Sequence, residues 1–131
     1  MENLSFIKFT DNLTNNPIVV ATDLIISVEE MEHAENNKIC KVFYTTSNSE
    51  IDYVIDTITN IAQSFDELGE QFGMAQLLDG RIVLFNYRYV MRLHTEGDDE
   101  TEPKCTVITL SNGTSIPVQD TIEEILNIES K

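Results

Sequence analysis

Two stretches decide the reading of this chain: "CTVITLSNGTSIPVQDTIEEIL", Cys105–Leu126, and "CKVFYTTSNSEIDYVIDTITNIA", Cys40–Ala62. Both open with Cys-x-Val and reach a Ser-Asn turn. Both then run through a short strand-like piece and close on Asp-Thr-Ile ahead of a helical pattern. Upstream, Pro17-Ile18-Val19-Val20 matches Arg81-Ile82-Val83-Leu84. The three anchors keep a spacing of 64 or 65 residues, and a period of that length dictates the architecture before any single element does.

Each unit reads as strands followed by a helix. In the first, "LSFIKFT" and the β-branched "PIVVATDLIISVEE" (one bent strand or two short ones) precede "KICKVFYTT" and "EIDYVI", with a turn at Ser47-Asn48-Ser49. In the second, "MAQLL" meets "RIVLFN" across Asp79-Gly80, and "YRYVMRLH", "CTVITL" and "SIPVQ" follow. Asp79-Gly80 suits a two-residue type I′ hairpin, and Asn112-Gly113 gives a second hairpin signal. Asp56 and Asp120 are the expected helix N-caps, Asp120 with Glu123 at capping-box spacing. Ile58, Ile61, Ala62, Phe65, Leu68 and Phe72 fall on one helical stripe, with Gly73 as its C-terminal cap and Gly69 as a break in the last turn. In the second helix Ile122, Ile125 and Leu126 should pack.

The expected fold is therefore α+β and β-rich: two tandem ββββα repeats, residues 1–72 and 73–131, packed as one pseudo-two-fold domain over 1–131. One unit alone would bury little and be marginal, so the two should share an interior.

Composition narrows the function classes. The 131 residues carry a net charge of −15, from 23 acidic and 8 basic residues. That field opposes nucleic acid and anionic membranes and suits a basic protein partner, self-association or plain solubility. No charged start followed by an apolar run marks a secretion signal, and no apolar stretch approaches a membrane span. Two cysteines without such a signal fit a reducing compartment, so a cytoplasmic location is expected, or a virion if the chain is phage-encoded.

The unit pattern resembles the small FlbD-like bacterial proteins. Asp23, Leu24, Val28 and Glu29 carry the resemblance in the first unit. Thr106-Val107-Ile108-Thr109-Leu110, Asn112-Gly113, Val118 and Asp120 carry it in the second. The resemblance implies a β-rich unit with a terminal helix and a regulatory role. Part of the cadence is similar to LytTR-type DNA-binding domains. The tandem strands-plus-helix layout resembles the Whirly and PUR architectures, which would imply single-stranded nucleic-acid binding.

The residues themselves argue against catalysis. No nucleophile elbow, phosphate-cradling loop, Rossmann glycine pattern or paired-ligand metal spacing occurs, so no enzyme activity, cofactor or metal is expected. His33 and His94 lie in "EEMEHAENN" and "HTEGDDETE", read as solvated loop tips. Cys40 and Cys105 are read as small core residues at equivalent points. The nucleic-acid alternative rests on Arg81, Arg88, Arg92 and Lys104 as phosphate contacts and on Tyr87 and Tyr89 as stacking surfaces. Alternation in "YRYVMRLH" puts Tyr87, Tyr89, Met91 and Leu93 on one face and the arginines on the other. The leading expectation is a non-enzymatic protein-interaction or assembly module, such as a phage or bacterial accessory or structural protein.

Overall fold

The computed structural model describes residues 5–31, 39–97 and 104–126, with backbone alone at 47–50. The described elements are β1 (Phe6–Thr10), β2 (Pro17–Ala21), β3 (Ile25–Glu30), β4 (Cys40–Tyr44), β5 (Ser47–Val54), α1 (Ile58–Glu67), β6 (Phe72–Gln76), β7 (Ile82–Asn86), β8 (Val90–Glu96), β9 (Cys105–Leu110), β10 (Ser115–Val118) and α2 (Ile122–Leu126). Short 3-10 turns, Thr22–Leu24 and Tyr87–Tyr89, separate β2 from β3 and β7 from β8. The order strand, strand, 3-10 turn, three strands, helix thus occurs twice. The expected four strands per unit become five. The β-branched run at 17–30 breaks at Thr22–Leu24, where the Ile25 amide bonds back to the Thr22 carbonyl and re-aims the chain. Strand β2 can then pair with β1 while β3 pairs with β4. Phe72 is the first residue of β6 and pairs with Asn86.

All pairing is antiparallel, in three sheets: β1-β2, β10-β9-β8, and a five-stranded sheet ordered β5-β4-β3-β7-β6. The five-stranded sheet takes strands from both halves, joined by Ser27↔Phe85, Val28↔Leu84 and Glu29↔Val83. A two-fold axis relating the halves would carry β3·β7 onto β8·β2 and pair those strands as well. Among the described residues β2 pairs only with β1, and β8 only with β9. The described pairings do not show the expected pseudo-two-fold packing; the joint sets the third strand of one half against the second strand of the other.

Two apolar clusters fill the interior. One gathers Ile7, Phe9, Ile25, Val28, Cys40, Val42, Val54, Ile58, Ile61, Phe65 and, from the second half, Leu84. The other gathers Ala75, Leu77, Val83, Phe85, Ile108, Leu110, Ile116, Val118, Ile125 and, from the first half, Ile26. Each half thus lends one residue to the other's core across the β3·β7 joint. Phe72 adds a stacked contact to Phe65, ring centroids 3.8 Å apart.

The helix starts sit one residue later than expected. Thr57 Oγ1 accepts the Asn60 amide, and Thr121 forms a reciprocal capping box with Glu124. Asp56 and Asp120 instead accept the Thr10 and Gln76 amides, each at 2.8 Å, pinning the end of the first strand of each half to the approach of its helix. Helix α1 ends at Gly69, whose φ of 78° suits a left-handed cap, so the Gly73 cap is corrected. Leu68 and Leu126, expected to pack, are exposed. The first-half turn falls at Thr45-Thr46, ahead of Ser47-Asn48-Ser49, which belong to β5. Asp79-Gly80 closes a three-residue loop rather than a type I′ pair. Leu77 N–H bonds Arg81 O, Gly80 N–H bonds Leu77 O, and the pattern recurs at Leu110, Gly113 and Thr114.

Gly73 has a different task. It pairs with Phe85 in β6·β7, and a Cβ there would lie 2.3 Å from the Phe85 ring. The fully buried ring lies over a backbone that only glycine leaves bare. Gly73→Ala should therefore lower stability by about 1–3 kcal/mol through overpacking. A thermal or denaturant melt of the variant checks this, and an unchanged midpoint would show that Phe85 can move aside freely.

Candidate functional site

Of the six residues named for the alternative nucleic-acid reading, Arg81, Tyr87, Arg88 and Tyr89 take part in the fold's own bonding. Arg81 sits at the start of β7 and reaches across the joint. Its guanidinium donates to Glu29 Oε2 (2.9 Å), to the Glu30 carbonyl (2.8 Å) and to Asp79 Oδ2 (2.8 Å). The Ile82 amide beside it donates to Glu30 Oε1. Arg88 pairs with Asp23 at 3.4 Å. Tyr87 OH donates to the Ile125 carbonyl, and its ring stands edge-on to Phe85. Burial raises the Tyr87 phenol pKa. Tyr89 OH donates to the Asp23 carbonyl at 2.6 Å. The alternation read across "YRYVMRLH" fails physically: Tyr87–Tyr89 form the 3-10 turn, and a bulge lies between Val90 and Arg92. Both tyrosines are partly buried against the second apolar cluster, and Arg81 and Arg88 are bonded to different carboxylates, Glu29 and Asp79 in one case and Asp23 in the other.

The cysteines are not equivalent. Cys40 lies opposite Glu30 and is fully buried, whereas Cys105 lies opposite Glu96 and is half-buried. The place of Cys40 in the second half is taken by Thr106, opposite Thr95. Both thiols are free. His94 Nε2 contacts Glu96 at 2.8 Å, while its Nδ1 is buried without a partner among the described residues. His33 lies outside the described residues, as does most of the acidic segment after Gly97. Among the described residues no group of three or more His, Cys, Asp and Glu could hold a metal ion. An open depression of about 330 Å³ is lined by Thr95, Lys104, Cys105, Thr106, Gln119 and Asp120, among others. No helix among the described residues is long and apolar enough to cross a membrane.

What stands out among the described residues is a pair of open strand edges. Where β3 and β7 meet, the residues that cross the joint, Ile26 and Leu84, are each 1% exposed. The residues in the same places of the other half are Met91, at the matching bulge of β8, and Val19, at the centre of β2. These are 65% and 63% exposed. The backbone along β2 is open too. Asp11 N–H bonds Asn16 O, and ladder bonds alternate from there, so the N–H and C=O of Val19 point away from β1. Exposed apolar residues on an unpaired edge are the features that natural sheets normally blunt. In pairing register Val19 matches Leu84, one residue beyond the Val83 that the sequence match gives it. Nothing in the sequence says which of two matching strands is left uncovered.

Burial, then the charges of Glu30 and Asp56, push the Cys40 thiol up to about 12. Only the thiolate alkylates, and Cys40 has neither charge nor access. Iodoacetamide at pH 8 should therefore modify Cys105 in the folded protein and reach Cys40 only once the chain unfolds. Peptide mass mapping reads the order, and early labelling of Cys40 would contradict its place in the core. In comparison with known proteins, the chain matches no family model, no curated protein and no solved structure.

Proposed function

We propose that the chain is two tandem copies of one β-rich unit and that it works as a non-catalytic interaction module, binding protein by strand addition at β2 and β8. The supporting observation is the contrast between Val19 and Met91, mostly exposed, and Leu84 and Ile26, buried at the same places of the joint. The recurrent bonds support the copy reading. The Asp56–Thr10 and Asp120–Gln76 bonds match, as do the bridges Asp11↔Val54 and Leu77↔Val118. An exposed edge offers backbone hydrogen bonds for affinity and side-chain pockets for specificity, which is how strand-adding modules recognise extended segments. The partner's strand at β2 would pair as β3 does with β7, with an apolar side chain at the place of Ile26. A location inside a cell or a virion follows from this reading only as an expectation.

The fold contains its own probe. A synthetic peptide of residues 24–31, which holds β3, should bind the β2 edge as β3 binds β7. Titrated into labelled protein, it should shift the amides of residues 18–21, and Val19→Asp should abolish the shifts. Shifts spread evenly over the chain, or none, would count against strand addition.

The second reading, single-stranded nucleic-acid binding, has less support, because Arg81 and Arg88 are paired with carboxylates and the net charge is −15. Single-stranded DNA should show no measurable binding at physiological salt. Micromolar binding that weakens steeply with salt and vanishes in an Arg88→Ala, Arg92→Ala double variant would favour that reading instead.

A further inference from the structure

We infer that the strand added at these edges belongs to a second copy of this chain, so that β8 of one copy pairs with β2 of the next, head to tail. The inference rests on the proposed interaction role and names its partner. The internal joint is the template. Moved to the matching elements, its register gives Arg92 against Val20, Leu93 against Val19 and His94 against Ile18 of the next copy. Met91 then enters the first-half core of the next copy, as Ile26 enters the second-half core of its own chain. Val19 enters the second-half core of the preceding copy, as Leu84 enters the first-half core. The two most exposed apolar residues of these strands are thereby buried by one contact.

Three further features fit. Pro17 has no N–H to give, and at its place in β7 the Ile82 N–H is taken by the Glu30 side chain rather than by the ladder. A proline there costs the added ladder nothing. His94 stands at the place of Glu29, and its Nδ1 has no partner among the described residues. Asn16 of the next copy stands at the place of Arg81 and brings an amide toward it. The edge is also uncharged on one side: β2 reads Pro-Ile-Val-Val-Ala. The contact between copies lacks the Arg81–Glu29 ion pair and Arg81–Glu30 hydrogen bond that lock the internal joint, so it is the weaker and reversible one.

Because the two surfaces differ, the contact is heterologous and propagates, closing into a ring or running on as a filament. Two variants separate this from every symmetric dimer. Met91→Asp spoils the β8 edge, Val19→Asp spoils the β2 edge, and both positions are exposed in the single chain, so each variant should fold and melt as the parent does. Sedimentation of the parent over a hundredfold concentration range in 0.15 M salt should show growth beyond a dimer. Each variant alone should stay monomeric. Mixed in equal amounts they should form a one-to-one dimer and nothing larger, since each supplies the edge the other lacks. A parent monomeric throughout, or a variant that still self-associates, overturns the inference. If the parent stays monomeric while the residue 24–31 peptide binds β2, the partner is another protein and the interaction reading stands. If the peptide fails as well, both fall.

Discussion

The structure depends on the joint between β3 and β7. It fuses a three-strand meander from the first half with a hairpin from the second into a single sheet. Its ladder is short, with three paired residues. Its strength comes from what crosses it. Ile26 and Leu84 each leave their own half and become core residues of the other, and full burial of a side chain of that size is worth about 1.5–3 kcal/mol. Arg81 and Glu30 close one end of the joint by crossing bonds, and the Asn86 amide closes the other by donating to the Ile25 carbonyl. Neither half could keep its present core without the other.

Around that joint the same local devices recur. Each half pins the end of its first strand to its helix approach through an aspartate, begins that helix on a threonine and bends the chain at a 3-10 turn followed by a bulge. The bulge is what sets Ile26 and Met91 apart from the alternation of their strands. An extra residue in one strand re-aims its side chain, here across the sheet's edge into a neighbour. In the first half the neighbour is present and the side chain is buried. In the second half the same device is built and stands empty-handed, because Met91 has no strand to cover it within the described residues.

Much of this was legible from local chemistry. The strands, the Asn112-Gly113 turn and the helix after Asp-Thr-Ile follow from β-branching, turn residues and 3.6-residue spacing. Errors of one residue arose where two chemistries compete for the same role. Asp and Thr both cap helices, and Thr57 and Thr121 take the cap because Asp56 and Asp120 are spent on strand amides. The alignment of Cys40 with Cys105 failed for a related reason: the halves differ by one residue between β3 and β4 and between β8 and β9, and identity of a single residue outweighed pairing register. The tyrosines misled because alternation assumes an unbroken strand. The asymmetry of the joint was beyond reach, since matching sequences predict matching pairings and only the assembled sheet shows which pairing is made once.

That asymmetry bears on how an acidic chain can associate at all. A net charge of −15 sets copies against one another at a distance, yet the field is screened within about 8 Å at physiological salt. What meets at contact is then decided locally. The β2 edge carries no charged side chain, and β8 carries one basic residue, Arg92, and one acidic residue, Glu96. Among the described residues, Glu29 and Asp79 are paired with Arg81, the Glu30 carboxylate accepts the Ile82 amide, and Glu123 and Glu124 lie in α2. A surface that repels broadly and carries no charge along the β2 edge favours contacts that must be made in register, because only the paired edge repays the approach of like charge.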